Sequence, residues 1–255
     1  MKIRIDKLLV ERGLAPSRER AQAMILAGRV LVKEQKVEKA GTSVEDSAEI
    51  RLLGHDPKYV SRGGLKLEHA IDYWKIDCSG KTAVDIGTST GGFTDCLLQR
   101  GAAKVIAVDT GYGQIDARLR GDARIRLMEK THARYLEPRQ LPEDVNLIVM
   151  DVSFISATLV LPAISRAVRE GKPEHRRDLV LVKPQFEVGR QQVGKGGIVR
   201  DPEAQAGAAA RVKQAVEELG GKGIEVIDSP ILGTEGNKEF LLHAVFDALQ
   251  DKGNE

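Results

Sequence analysis

The 255-residue chain holds only two cysteines, Cys78 and Cys96, and only 4% aromatic residues. Two thiols cannot build a disulfide framework, which points to a reducing, cytoplasmic compartment, and they leave a structural zinc site short of soft ligands, so no metal is expected. The shortage of rings argues against a sheet that binds nucleic acid by stacking bases on aromatics. Long apolar runs are also missing: Leu147 to Met150 and Leu179 to Val182 are bounded by Asp151, Asp178 and Lys183, far short of the ~18 residues a spanning helix needs. No membrane partner is expected. Met1-Lys2-Ile3-Arg4-Ile5-Asp6 offers no apolar h-region and no cleavage site, so no secretory signal is read there. Charge of one sign is absent too, since 39 Lys+Arg against 37 Asp+Glu leave a net charge of +2. With 30% charged and 42% hydrophobic residues, the chain reads as one or two folded domains rather than a disordered polyelectrolyte.

The even total hides a basic front, because Met1 to Lys36 carries nine cations and four anions, a net +5. Ile5, Leu8, Leu9 and Ala15, then Ala21, Met24, Ile25 and Leu26, follow helical spacing around Pro16-Ser17 and predict a helix hairpin, with Ser17 as N-cap and Gly28 just past the second helix. Val30 to Val32, Lys36-Val37 and Ala48 to Leu52 read as short strands. This first module spans residues 1–54, and 55–60 form a linker. The second, 61–250, opens with a helix on Leu65, Leu67, Ala70, Ile71 and Trp74. Apolar strands at Thr82 to Ile86, Val105 to Asp109, Ile125 to Met128, Val145 to Asp151 and Leu179 to Lys183 then alternate with helical stretches. That alternation predicts an α/β domain on a parallel sheet with right-handed crossovers. A helix near Ala204 to Leu219 and a closing hairpin of Ile224 to Ile227 with Phe240 to Phe246 complete it.

Asp85-Ile86-Gly87-Thr88-Ser89-Thr90-Gly91-Gly92-Phe93 leaves a strand and opens a helix, and Asp109 ends the next strand. Gly87 permits a tight exit, Gly91 and Gly92 admit a ligand to the backbone, and Asp109 suits a ribose diol. The spacing differs from the dinucleotide pattern, and an acid at the first strand's end would repel a pyrophosphate. A cationic, phosphate-free nucleoside such as S-adenosylmethionine fits better; an ordinary turn with packing glycines is the alternative. Gly189 to Lys195 imitates a phosphate loop, but Gly196 stands where a magnesium-binding Ser or Thr is required.

Lys66, Asp151, Lys183 and Glu239 fall where this topology gathers strand ends around a ligand crevice. Such a set can deprotonate a sugar hydroxyl if a lysine pKa is lowered by burial or a second ammonium, with carboxylates orienting it. Surface salt bridges are the alternative. The Asn/Asp-Pro-Pro-aromatic clamp of base amino methylation is missing from Asp151-Val152-Ser153-Phe154, and neither cysteine is placed as a nucleophile for cytosine carbon methylation.

Tyr59 to Leu67, Asp85 to Phe93, Met150 to Ser156, Val182 to Glu187 and Val193 to Gly197 together resemble the TlyA, or hemolysin A, family over nearly the whole chain. The resemblance implies a Rossmann-like class I methyltransferase sheet of the FtsJ type behind a small N-terminal α+β RNA-binding domain of the ribosomal S-four type. It implies S-adenosylmethionine-dependent 2′-O-methylation of cytidine in ribosomal RNA, with a Lys66-Asp151-Lys183-Glu239 tetrad and Lys183 as candidate base. Expected cofactor contacts are Asp85, Gly87, Thr88, Ser89, Gly91, Gly92, Phe93, Asp109, His132 and Asp151. His132 stands where the pattern has Asn. Expected RNA contacts are Arg4, Lys7 and Arg12 on one helix face, Arg18, Arg20 and Arg29 on or after the next helix, and Arg62. Three rivals remain: a ribosome-associated RNA binder with an inactive methyltransferase domain, a membrane-active hemolysin, and a small-molecule methyltransferase.

Overall fold

The computed structural model describes residues 2–54, 57–141, 145–169, 177–182, 186–233 and 236–246, with only the backbone described at 169, 177–182 and 190. The chain divides into two compact units, Met1–Pro57 and Lys58–Glu255.

In the first unit, β1 (Lys2–Arg4), α1 (Ile5–Glu11), α2 (Arg18–Leu26), β2 (Val30–Val32), β3 (Gln35–Lys36), β4 (Ser43–Glu45) and β5 (Ile50–Leu52) follow in order. Ser17 caps α2 by accepting the Arg20 N–H at 3.3 Å, and Gly28 takes the left-handed exit at φ 66°, as the spacing predicts. Strands β3, β2 and β5 form one antiparallel sheet. The pairing of β1 with β4 adds a second sheet that the sequence does not announce, since Lys2-Ile3-Arg4 and Ser43-Val44-Glu45 hold a single apolar residue each. Ile5, Leu8 and Leu9 of α1 meet Ala21, Met24 and Ile25 of α2 in the core.

In the second unit, α3 (Gly63–Trp74) precedes β6 (Thr82–Ile86), α4 (Gly92–Gln99), β7 (Lys104–Val108), α5 (Ala117–Arg120) and β8 (Ile125–Met128). Then come β9 (Leu147–Met150), α6 (Ala157–Arg169), β10 (Arg177–Val182), α7 (Pro202–Glu218), β11 (Lys222–Asp228) and β12 (Phe240–Phe246). The sheet order is β11-β12-β10-β9-β6-β7-β8, parallel except for β12, which runs antiparallel to both β10 and β11. Both faces are covered, which is why the central strands are apolar at nearly every position. Leu147 and Val149 face one cluster with Leu67, Ile71 and Leu97 of α3 and α4; Ile148 and Met150 face another with Leu161, Ile164 and Val212 of α6 and α7. Each fully buried side chain of this size contributes about 1.5–3 kcal/mol of transfer free energy.

The unit boundary falls after Pro57. Tyr59 Oη donates to Glu68 at 3.0 Å and the Val60 N–H donates to Asp95 at 2.8 Å, so residues expected in the linker are tied to α3 and α4.

Candidate active site

At the carboxyl ends of β6, β7 and β9, two recesses flank the loop from Gly87 to Gly92. Gly87 is the closest point. Its φ is +82°, and a Cβ there would stand 2.7 Å from the Asp151 carbonyl oxygen. Only glycine fits both demands.

The larger recess, about 550 Å³, has Ile86, Val108, Val152 and Ile155 as apolar wall, with Asp109, Thr131 and His132 as polar groups. That size and lining suit a nucleoside-sized ligand. Both Asp109 carboxylate oxygens are fixed, Oδ2 by the Ser89 N–H at 2.8 Å and Oδ1 by the Gly111 N–H at 2.6 Å. The acid is thereby oriented at the rim, where it can accept from a diol. His132 Nδ1 accepts the Arg134 N–H at 3.3 Å, and the ring lies 5.1 Å from that of Tyr135.

The second recess, about 310 Å³, is lined by Lys66, Asp151, Ser61, Arg62, Ser153 and Leu232 among others. Lys66 arrives on α3 and Glu239 on the residue before β12, and their side chains form an ion pair with only 8% and 1% exposure. A charge pair withdrawn from water this far is costly to assemble and persists only where the fold holds both partners. Asp151 follows β9 directly. Lys183 lies outside the described residues; its predecessor Val182 ends β10, which pairs with β9 through Leu181 and Met150.

Two predicted cofactor contacts are placed differently. Asp85 is fully buried and lines neither recess; its Oδ2 accepts the Thr94 hydroxyl at 2.6 Å, while Oδ1 has no hydrogen-bond partner among the described residues. Burial foremost, then the charges of Asp151 and Asp109, push its carboxyl up to about 7. Asp85 therefore supports the loop from beneath. Gly91 is also buried away from both recesses, and a Cβ there would meet Leu119 at 2.5 Å and Ile115 at 3.2 Å, so its smallness serves packing. Gly92 and Phe93 line the smaller recess, Ser89 and Gly87 line both, and Thr88 donates its hydroxyl to the Asp85 carbonyl at 3.0 Å.

Some lining residues escaped the sequence reading. Ile231 and Leu232 come from the loop after β11 and carry no local signal, whereas Ser61 sits inside the Tyr59 to Leu67 segment. Phe154 is 94% exposed at φ 65°, unusual for a bulky residue, with its ring 5.6 Å from Phe186. Phe154 lines the larger recess, despite the low aromatic content. Glu187, buried and raised above the ordinary carboxylate range chiefly by that burial, accepts the Ala157 N–H at 2.5 Å and pins the start of α6.

The first unit redistributes the expected RNA contacts. Arg4 belongs to β1 and Arg12 follows the end of α1, so they do not share a helix face with Lys7. Buried Asp6 accepts from Arg4 at 3.0 and 2.8 Å, from Arg18 at 3.0 Å and from Gln22 at 3.1 Å, which holds its carboxyl far below the usual range. Arg12 binds the Ala48 carbonyl at 2.7 Å and Arg29 the Leu53 carbonyl at 3.0 Å. These arginines tie the unit together; Lys7 is exposed and Arg20 half-buried. Lys33, Lys36 and Lys39 line a separate groove of about 460 Å³.

An open sheet of this strand order, with a glycine loop and an acid at the carboxyl ends of its first two strands, has the architecture of a class I methyltransferase. Residues 59–246 match the FtsJ-like methyltransferase family and residues 3–50 match the S4 domain. The chain belongs to the FtsJ-like methyltransferase family, and its methyl donor is S-adenosylmethionine. It is 43% identical over 241 residues, 94% of this chain and 88% of the relative, to the Mycobacterium tuberculosis 16S/23S rRNA (cytidine-2′-O)-methyltransferase TlyA. It is 38% identical over 244 residues, 95% of this chain and all of the relative, to a protein of Brachyspira hyodysenteriae named Hemolysin A. A solved structure described as "Putative hemolysin from Streptococcus thermophilus" superposes with a TM-score of 0.69 at 38% identity, over 99% of this chain and 91% of that one. Among the described residues, no helix is long and apolar enough to cross a membrane.

Proposed function

We propose that this chain methylates the 2′-hydroxyl of cytidine in ribosomal RNA, with Lys183 as base in a Lys66-Asp151-Lys183-Glu239 set. What carries the reading is the water-excluded Lys66–Glu239 ion pair, with Lys66 lining the same recess as Asp151 beside the Gly87 loop. The names of the relatives support the substrate. When bound, S-adenosylmethionine supplies an electrophilic methyl group on a sulfonium. Asp109 would take the donor's ribose diol, His132 would lie on its adenine side, and the backbone at Gly87 would receive the amino-acid tail.

A sugar hydroxyl is a weak nucleophile at neutral pH, so the role of Lys183 Nζ is to remove its proton during attack. With Lys183 in this set, a second ammonium on Lys66 would favour its neutral form, whereas the carboxylates of Asp151 and Glu239 would oppose that and orient the side chain. The first unit would deliver structured RNA through phosphate contacts.

Incubation with both unmodified ribosomal subunits and labelled donor, followed by mapping of 2′-O-methyl groups, tests the proposal. A modified cytidine ribose is expected; label on base atoms, or none, would refute it. Lys183→Ala is expected to abolish transfer while S-adenosylhomocysteine still binds, and retained transfer would remove Lys183 from its role.

A further inference from the structure

Beyond the strand ends, the stretch from Val188 to Arg200 carries Arg190, Lys195 and Arg200 and no acid. Gly196 and Gly197 have φ +79° and +75°, and a Cβ on Gly189, Gly196 or Gly197 would meet nothing within 4 Å. At Gly194 a Cβ would press on the Ile198 carbonyl oxygen at 3.1 Å, and the positive φ of Gly196 and Gly197 favours glycine in its own right. The open space around Gly189, Gly196 and Gly197 leaves their backbone bare, with room for close approach by an external molecule. Lys195 and Arg200 are exposed, and among the described residues neither forms an ion pair, whereas Arg100, Arg120 and Arg124 are each matched by a carboxylate.

The stretch is nevertheless anchored. Asn237, only 7% exposed, accepts the Val199 N–H at 2.9 Å, donates Nδ2 to the Gly197 carbonyl at 2.9 Å, and accepts the Gly233 N–H on its own carbonyl at 2.8 Å. The Gly194 N–H closes the loop on the Ile198 carbonyl at 3.0 Å. Gly233 in turn abuts the reaction site, since a Cβ there would stand 2.5 Å from Glu239 Oε1. The basic loop thus hangs from the segment that presents Glu239 to Lys66.

We propose that Gly194 to Arg200 is an anion-binding arm that grips the phosphodiester backbone of RNA beside the reaction site, and that Asn237 is the residue that positions it. The inference rests on the reading that the substrate is RNA. Released counterions make each phosphate contact visible as a salt slope.

Filter binding of the full chain to ribosomal RNA across a salt series tests it. Lys195→Ala with Arg200→Ala is expected to flatten the slope of log K against log salt by about 1.4–1.8, at ~0.7–0.9 per lost contact. An unchanged slope would overturn the arm. Asn237→Ala alone is expected to weaken binding as the double variant does, and combining all three to add less than about twofold, since residues acting through one loop are not additive. Fully additive losses would strip Asn237 of its positioning role. Binding is read without methyl transfer, so the two proposals fail separately. An arm-dependent slope without methylation defeats only the enzymatic reading, and methylation with an arm-independent slope defeats only this one.

Discussion

Replacing Asp85 by Asn should make the methyltransferase unit more stable at alkaline pH and should remove a pH dependence that the parent chain carries. The Asp85 carboxyl is fully buried and its pKa stands at about 7, against 3.8 for an unperturbed aspartate. Between those values the unfolded chain has released the proton while the native chain keeps it. Stability therefore falls as pH rises through this window, and the loss levels off above the folded value. A difference of about 3 units at ~1.36 kcal/mol each gives a cost of about 4 kcal/mol at pH 8, of which about 3 kcal/mol accumulates between pH 5 and 8. Asn keeps an oxygen for the Thr94 hydroxyl, which now meets Asp85 at 2.6 Å, and does not titrate. The chain has one tryptophan, Trp74, in α3. Urea unfolding followed by its fluorescence, without cofactor, reports the second unit alone. The gap in unfolding free energy between Asn variant and parent should widen in favour of Asn by about 3 kcal/mol from pH 5 to 8. A gap constant over that range would show that the buried carboxyl does not resist ionisation, and the assignment of Asp85 as a sealed support beneath the loop would fail.

Gly87→Ala sets a methyl 2.7 Å from the Asp151 carbonyl at φ +82°; calorimetric titration should show S-adenosylhomocysteine affinity reduced at least ~10-fold, about 1.4 kcal/mol. Glu239→Gln removes the anion from the buried Lys66 and should cost about 3–5 kcal/mol by the same Trp74 unfolding assay, with methyl transfer lost alongside. Asp6→Ala releases Arg4, Arg18 and Gln22 together; hydrogen exchange should show the amides of α1 and α2 opening while those of the second unit stay protected. Because the Asp6 carboxyl is held below its ordinary value, its contribution is complete above the unfolded pKa and disappears as pH falls through the folded one, so the first unit should loosen in acid.

The central parallel strands are legible in the sequence because burial on both faces makes them apolar at almost every position, and Thr82–Ile86 matches residue for residue. The edge strand Ile125–Met128, half-buried throughout, matches as well. The turn at Gly87 is legible for a similar reason, since a strand exit at positive φ this close to the Asp151 backbone needs glycine. Tertiary consequences are not. Asp6 looks like one acid among basic neighbours and becomes a hub only when α1 and α2 pack. Ile231 and Leu232 reach the recess because β11 and β12 fold back beside β10. Asp85 appears from its offset to face a ligand, yet the turn at Gly87 carries the chain over it and seals it in.

The placement of β12 inside the sheet, between β10 and β11, has a consequence for biosynthesis. The small front module has all its strands once residue 52 is made, so it can mature while translation continues. The larger sheet, by contrast, keeps the flank of β10 bare until Phe240–Phe246 emerges. The acid that meets Lys66 arrives just ahead of that strand. A nascent chain would therefore complete its S4 unit long before its reaction site, and protection of the bare flank by chaperones would matter most in the final moments of synthesis.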